Sequence, residues 1–162
     1  MFREMRRKRQ QLTETECIEI LMKNTYGVLA VFGDDGYPYA VPLSYVYDNG
    51  TLFFHCAKSG HKLDAIKAFS KVSFCVIDQD LVVPKEYTTY FRSVIAFGRA
   101  SIMTQEDEIR GAIEKLAIKY YPDDSKENRD SAIEKEYQAM CMVRIRIEHM
   151  SGKEAIELVN AH

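Results

Sequence analysis

Residues 36–62, GYPYAVPLSYVYDNGTLFFHCAKSGHK, constrain the possible folds more than any other part of the sequence. Larger apolar side chains alternate with other residues across positions 40–47, the period of two expected of a strand whose faces meet different environments. Asn49 and Gly50 then form a pair that tolerates positive φ at both centres of a type I′ turn. Residues 51–57 return as the partner strand. The stretch therefore predicts a β-hairpin that leads through a loop into a helix.

The remaining apolar patterns predict a mainly β fold with peripheral helices. Further strands are predicted at residues 26–32, 71–77, 90–103 and 141–147, which with the hairpin makes six antiparallel strands. Gly98 interrupts the longest of them and indicates a bulge or bend. No GxGxxG motif follows a strand, so the pattern favours a small antiparallel barrel over a parallel dinucleotide-binding sheet.

Helix signals lie at the ends of these strands. Thr13 and Glu16 form a capping-box pattern before a short helix that should end near Asn24. Residues 61–69 predict a helix that buries Phe69, and Thr104 with Asp107 is expected to cap the longest helix. Residues 78–89 contain a proline and mixed polarity, so they predict a long connection.

Composition limits the classes of partner. The chain has a net charge of −2 and a pI near 6.1, so no overall field favours nucleic acid or an anionic membrane. No apolar run approaches the roughly 20 residues needed to cross a bilayer, and no signal peptide is visible, so a cytoplasmic protein is expected. We expect a basic N-terminal arm at residues 1–12 and a single domain at residues 13–162. The arm is interpreted as a solvated segment, a nucleic-acid contact, or a strap over a second subunit or an anionic ligand.

The four cysteines are widely spaced and include no CxxC pair, which argues against a zinc knuckle and a disulfide scaffold. Three of them are expected to be small buried residues, and Cys56 is the exception. His55 and His61 lack a third metal ligand in the sequence nearby, so no metal site is predicted.

Residues 59–62, Ser-Gly-His-Lys, stand between a strand and a helix. Unpaired N–H groups at a helix N-terminus favour an anion, and His61 and Lys62 would add donors and charge. This is a possible phosphate seat, although the Walker pattern is absent and any loop with serine and glycine can begin a helix.

Two further positions allow more than one interpretation. His55, near the end of a strand, is either a structural histidine or a proton donor to a redox ring. It cannot easily pair with Cys56, because neighbouring strand residues point to opposite faces. Arg92 and Ser93 follow a run of aromatic residues, where an arginine binds an anion, stacks on a ring, or is simply solvated.

The segments GYPYAVPLSYVY at residues 36–47, FFHCA at 53–57 with GHKLDAI at 60–66, and YFRSVIAFG at 90–98 closely resemble one known family. It comprises the Nim-type nitroimidazole-resistance proteins of the pyridoxamine-phosphate-oxidase-like flavin-binding superfamily. The likeness covers nearly the whole chain. It implies a six-stranded antiparallel FMN-binding split β-barrel of Greek-key type, which pairs as a homodimer with a flavin in each of its interface sites.

The resemblance also implies which residues bind the flavin, expected to be FMN with FAD as the alternative. The isoalloxazine ring would be lined by Tyr39, Ala40, Val41 and Pro42. The ring edge and the ribityl chain would contact His55, Cys56 and Ala57, and the phosphate would be held by His61 and Lys62. Arg92 and Ser93 would approach the flavin from the other subunit. Cys56 departs from the pattern, since similar proteins often carry serine there. A thiol beside a flavin could change its potential or become oxidised.

The activity implied by the resemblance is reduction of a nitroaromatic compound, such as a 5-nitroimidazole antibiotic, with His55 as the active-site residue. In this view the flavin supplies the redox chemistry and the protein supplies orientation and electrostatics. The alternative is a flavin-binding sensor or carrier without nitroreductase activity. Pyridoxamine-phosphate oxidation is a third reading, taken from the wider superfamily.

Overall fold

A computed structural model describes residues 1–159. The last residues of the predicted domain, 160–162, lie outside the described residues. The helices and strands are, in chain order, α1 (Glu14–Lys23), β1 (Tyr26–Phe32), β2 (Pro38–Ser44), β3 (Val46–Asp48), β4 (Thr51–Ala57), α2 (His61–Ala68), β5 (Lys71–Val83), β6 (Thr88–Ile102), α3 (Glu106–Tyr120), α4 (Lys126–Tyr137), β7 (Met140–Glu154) and α5 (Ile156–Val159).

The strands form one antiparallel sheet of seven strands in the order β2-β1-β5-β6-β7-β4-β3. The predicted fold class, mainly β with peripheral helices, is confirmed, but the predicted count of six strands is wrong. The end strands β2 and β3 are neighbours in the chain, so the sheet must curl until its two edges approach each other. Within residues 1–159 no ladder joins β2 to β3, and the sheet is not closed.

The additional strand arises because the predicted second strand breaks at Tyr45. Its side chain is fully buried, and its hydroxyl donates a hydrogen bond to the Leu21 carbonyl at 2.8 Å. Its backbone N–H donates to the Thr25 carbonyl at 3.1 Å, and its ring packs edge-on against Phe74 with the centroids 5.0 Å apart. Tyr45 therefore anchors the chain where it passes from one edge of the sheet to the other.

The predicted turn at Asn49 and Gly50 is confirmed, with φ values of 48° and 78°. This turn joins β4 only to the short strand β3, whereas β2 pairs with β1. The hairpin expected within residues 36–62 is thus shorter than the alternation suggested, since residues 38–44 belong to the opposite edge of the sheet.

Residues 78–89 are not a long connection, as predicted, but the outer half of the β5–β6 hairpin. Pairing continues to Val83 and Thr88, where the turn Pro84–Glu86 closes the loop. The proline lies in the turn and leaves the ladder intact. Polarity is mixed here because both faces meet solvent: the neighbouring residues Leu81 and Val82 are 54% and 62% exposed.

Gly98 marks an irregularity in the sheet, as predicted. The register between β6 and β7 shifts between Phe97 and Gly98. A Cβ atom at Gly98 would lie 2.2 Å from the Arg146 carbonyl oxygen, so the close approach of the two strands requires glycine.

The helices agree with the sequence at most of their ends. Thr13 and Glu16 form the predicted capping box at the start of α1. The N-cap of α3 is Gln105 without a side-chain cap, so the predicted cap at positions 104 and 107 is wrong. Phe69, expected to be buried, is 44% exposed and packs edge-on against Phe32 with the centroids 4.9 Å apart. Along residues 1–159 there is no helix with the length and apolarity that crossing a bilayer requires.

Two apolar clusters lie on opposite faces of β4 and β7. The larger fills the inner face of the curled sheet beneath α1 and α2 and includes Leu21, Phe54, Phe74 and Val143. The smaller lies between the sheet and the pair α3 and α4 and includes Leu116 and Met142. Alternate residues of β4 therefore point to opposite sides of the sheet, which decides where the candidate site residues point.

Candidate functional site

The start of α2 offers unpaired backbone donors. Gly60, the N-cap, has a φ of 141°, a conformation that favours glycine, and no side chain caps this end. The N–H groups of Leu63 and Asp64 donate to the Gly60 carbonyl at 3.0 and 3.2 Å. The N–H groups before them are those that an α-helix leaves without an internal partner. We call residues 59–62 the anion seat, because these donors and the positive end of the helix dipole favour an anion.

His61 joins the anion seat to β2. Its ring stacks on that of Tyr39, with the centroids 4.2 Å apart and the planes 26° from parallel. Its Nε2 accepts a hydrogen bond from the Asp34 N–H at 3.4 Å. A Cβ atom at Gly33 would lie 3.2 Å from this nitrogen, so a small residue there lets His61 approach the turn between β1 and β2. The two predicted residues Tyr39 and His61 are thus brought together.

The predicted ring wall on β2 is divided between two faces. Tyr39 and Val41 pack against the larger apolar cluster, whereas Ala40 and Pro42 are exposed on the outer face. Their four side chains cannot therefore line one surface. Only backbone groups of Ala40 and Pro42 are available to a ligand at the inner side or at the edge.

Backbone parity shows which groups of β2 are free. The Gly33 N–H donates to the Tyr37 carbonyl at 2.9 Å, so this pair is hydrogen-bonded, and every second residue of β2 after Tyr37 bonds to β1. Ala40 has the opposite parity, and its N–H and C=O point to the open edge of the sheet. Proline occupies positions 38 and 42, as expected of an edge that needs no ladder donors. The Ala40 N–H is therefore the free donor between the two prolines.

The end of β4 also divides the predicted residues between faces. Cys56 is half-buried against the larger cluster, while His55 and Ala57 are exposed on the other side of the strand. Burial raises the pKa of Cys56 to about 11, with a further contribution from Cys141 and an opposing one from Lys62. Lys62, the last residue of the anion seat, consequently lies near Cys56. His55 lies on the face that carries α3 and α4.

Arg92 and Ser93 lie far from this group within one chain. The register across β1 and β5 places Gly98 in the same row as Tyr39, and Arg92 stands six residues further along β6. At about 3.3 Å per residue this separation is about 20 Å. Arg92 is held by the nearly buried carboxylate of Glu154, to which its Nε and Nη2 donate at 3.1 and 2.8 Å. Within one chain the structure therefore does not bring Arg92 and Ser93 together with Tyr39 and His61.

Three features of the site were not found from the sequence. One is the contact of His61 with the turn at Gly33 and Asp34. The free edge at Ala40 could have been suspected from the prolines on either side of it. The position of Cys141 directly opposite Cys56 depends on strand register, which no local pattern revealed. Among residues 1–159, no group of three or more His, Cys, Asp and Glu side chains is arranged to hold a metal ion.

Comparison with solved structures finds the same fold in proteins of low sequence identity. A candidate 5-nitroimidazole antibiotic resistance protein of Bacteroides thetaiotaomicron is 18% identical, with a TM-score of 0.73 over 89% of this chain and 86% of that one. An FAD-binding protein of Mesorhizobium loti is 26% identical, with a TM-score of 0.64 over 90% and 97%. An FAD and haem binding protein of Mycobacterium smegmatis is 20% identical, with a TM-score of 0.73 over 94% and 80%.

A search of curated protein sequences gives no match. The family model described as pyridoxamine 5'-phosphate oxidase matches residues 13–154, which include every strand and all the predicted site residues. The chain therefore belongs to the pyridoxamine 5'-phosphate oxidase family.

Proposed function

We propose that this protein binds a flavin at the anion seat and the adjoining edge of β2. The observation that carries the proposal is the stack of His61 on Tyr39, which joins a helix N-terminus to a strand edge with a free N–H at Ala40. A flavin nucleotide needs both parts, because it has an anionic phosphate at one end and a planar ring with hydrogen-bonding edges at the other.

The residues present fit such a group. The helix N–H donors, the Ser59 hydroxyl and the ammonium of Lys62 suit a phosphate, and a Cβ atom at Gly60 would meet nothing within 4 Å, so the seat is open. Tyr39 and Val41 offer apolar contact, and Ala40 offers a backbone donor. We propose FMN as the ligand. FAD is the alternative, because the relatives from Mesorhizobium loti and Mycobacterium smegmatis are FAD-binding proteins. A bound flavin would supply the electron transfer.

Titration with FMN and with FAD tests this step. We expect quenching of flavin fluorescence and a higher melting temperature, since a ligand that binds only the folded state stabilises it. Absence of both effects with both flavins would refute flavin binding.

We propose further that the protein acts as a homodimer with the flavin at the interface. The outer face of the sheet carries exposed apolar side chains on three neighbouring strands: Tyr26, Phe32, Ile77, Ile95 and Phe97. An apolar groove of about 410 Å³ runs along this face, with Phe32, Pro38 and Phe97 in its lining. Exposed apolar surface of this kind typically marks an interface. The exposed side chains of Ala40 and Pro42 stand on the same face, so a second copy there would adjoin the proposed ring site.

Arg92 and Ser93 would then reach the flavin from the second subunit. The separation of about 20 Å along the strand between Arg92 and the Tyr39 row, about six residues, supports a contribution from a partner over one from the same chain. Light scattering of the purified protein tests the dimer. We expect twice the chain mass, and a monomer that binds flavin fully would contradict the interface site.

The reaction we propose is reduction of a nitroaromatic compound, with 5-nitroimidazoles as the substrate class. The fold is shared with the candidate 5-nitroimidazole resistance protein, and His55 is the exposed histidine at the strand end. Its imidazole could orient the nitro group or transfer a proton to it. Consumption of a nitroimidazole by the chemically reduced flavoprotein, without air, tests the activity. His55→Ala should slow it while flavin binding is retained.

One observation favours a flavin-binding sensor or carrier instead. His55 lies on the opposite face of β4 from Cys56, and so on the opposite side from the neighbourhood of Lys62. A flavin held entirely on the Cys56 side would be out of reach of this imidazole. The reduced protein would then bind flavin without consuming the nitroimidazole, and this result would establish the second function over the first.

A further inference from the structure

Two cysteines face each other across the strands β4 and β7. Cys56 and Cys141 are register partners, and their neighbours Ala57 and Met140 are the last pair of this ladder. Both side chains are half-buried, and both pack against the larger apolar cluster, so they share one face of the sheet. Neither thiol is engaged in a disulfide.

The spacing of the pair follows from backbone parity. The Ile147 N–H donates to the Gly50 carbonyl at 2.9 Å, which makes these opposite residues a hydrogen-bonded pair. Pairs alternate in type along an antiparallel ladder, and Cys56 is six residues from Gly50, so Cys56 and Cys141 are also a hydrogen-bonded pair. Their Cα atoms are therefore about 5.5 Å apart, which lies within the usual range for a disulfide. The Cβ atoms of such a pair must move together to form the bond, so the bond would be strained and readily reduced.

The electrostatics of the two thiols agree with this spacing. Cys141 raises the pKa of Cys56 after the larger effect of burial, and Cys56 lowers that of Cys141. Burial raises the pKa of Cys141 as well, and the nearby ammonium groups of Lys67 and Lys58 oppose this effect. Lys58 and Lys67 near Cys141 favour its thiolate, so Cys141 is taken as the initial nucleophile.

We propose that Cys56 and Cys141 form a reversible disulfide by exchange with a low-molecular-weight disulfide. The Cys141 thiolate attacks one sulfur of the small disulfide, which leaves a mixed disulfide on Cys141 and releases one small thiol. The Cys56 thiolate then attacks the Cys141 sulfur, forms the protein disulfide and releases the second small thiol. The protein loses two thiol protons and two electrons, and the small disulfide gains both.

The disulfide can be tested without flavin, although the pair adjoins the anion seat through Lys62 and Cys56 is itself expected beside a bound flavin. The disulfide would fasten the end of β4, from which residues 58–60 lead into α2, to the start of β7. Oxidation would thereby restrict the backbone that enters the anion seat.

The test is oxidation of the flavin-free protein with oxidised glutathione, then alkylation of free thiols, proteolysis and peptide mass analysis. We expect a linked peptide pair containing Cys56 and Cys141, whose link a small dithiol removes, while Cys17 and Cys75 stay alkylatable after unfolding. Cys56→Ser and Cys141→Ser should each end in a glutathione adduct at the remaining thiol. Retention of both free thiols, or a stable adduct without closure in the wild type, would overturn the proposal. Because the readout needs no flavin, its failure is distinct from failure to bind flavin.

Discussion

Replacing Lys62 by alanine should weaken flavin binding without weakening the fold. Lys62 is in the first turn of α2, half-buried beside Cys56. A hydrogen bond to a charged group contributes about 1.5 to 3 kcal/mol, so loss of a phosphate contact should raise the Kd of FMN about 10- to 150-fold. A cation in the first turn opposes the helix dipole, and its removal should stabilise the flavin-free protein by up to about 1 kcal/mol.

Lys67 on the same helix provides the matched control. It lies in the last turn of α2, is exposed, and carries the same charge. Lys67→Ala removes a cation that complements the dipole, so it should cost up to about 1 kcal/mol of stability and leave the Kd within about twofold. Fluorescence titration and urea unfolding of both variants measure the two effects. Equal losses of affinity in the two variants, or an unchanged Kd in Lys62→Ala, would refute the phosphate role.

Three further predictions concern β2, the sheet and α3. Ala40→Pro should leave the urea midpoint nearly unchanged, because the N–H at this edge is outside the ladder. The same change should weaken FMN binding about 2- to 13-fold, because the ligand loses a hydrogen bond. Ala40→Ser keeps the N–H and should bind FMN normally. Gly98→Ala should destabilise by about 1 to 3 kcal/mol, since its Cβ would meet a carbonyl of β7 at 2.2 Å. Gly111 lies inside α3, and a Cβ atom there would meet nothing within 4 Å. Gly111→Ala should therefore stabilise the protein by up to about 1 kcal/mol. Similar effects at both glycines would contradict the packing described. Burial lowers the pKa of Lys119 to about 8 from 10.5, so the unfolded state binds more protons between these values. The unfolding free energy of the wild type relative to Lys119→Met should therefore rise across this interval. A difference that stays flat or falls would contradict the partly buried position of this amine.

Local signals predicted the parts of the fold that depend on a few neighbouring residues. The Thr13 cap, the turn at Asn49 and Gly50, and the irregularity at Gly98 each need a particular residue type at one position, and the structure confirms all three. Membership of the family was also predicted from contiguous motifs, and the family model that matches residues 13–154 confirms it.

Features that depend on distant contacts were missed. Alternation continues through Tyr45, but the strand breaks there because its hydroxyl and N–H bind the segment around Leu21 and Thr25. The pairing of Cys56 with Cys141 depends on the register of strands more than 80 positions apart in the chain. Sequence placed Tyr39 and His61 in one site only through resemblance to a family, whereas their stacked rings are a product of the fold.

The absorption spectrum of the purified protein, followed by mass analysis of any released cofactor, tests the central proposal most directly. We predict a yellow protein whose spectrum is that of an oxidised flavin, with about one FMN or FAD released per chain on unfolding. A colourless protein that takes up neither flavin when each is added in excess would contradict the account of the anion seat and the Tyr39–His61 stack.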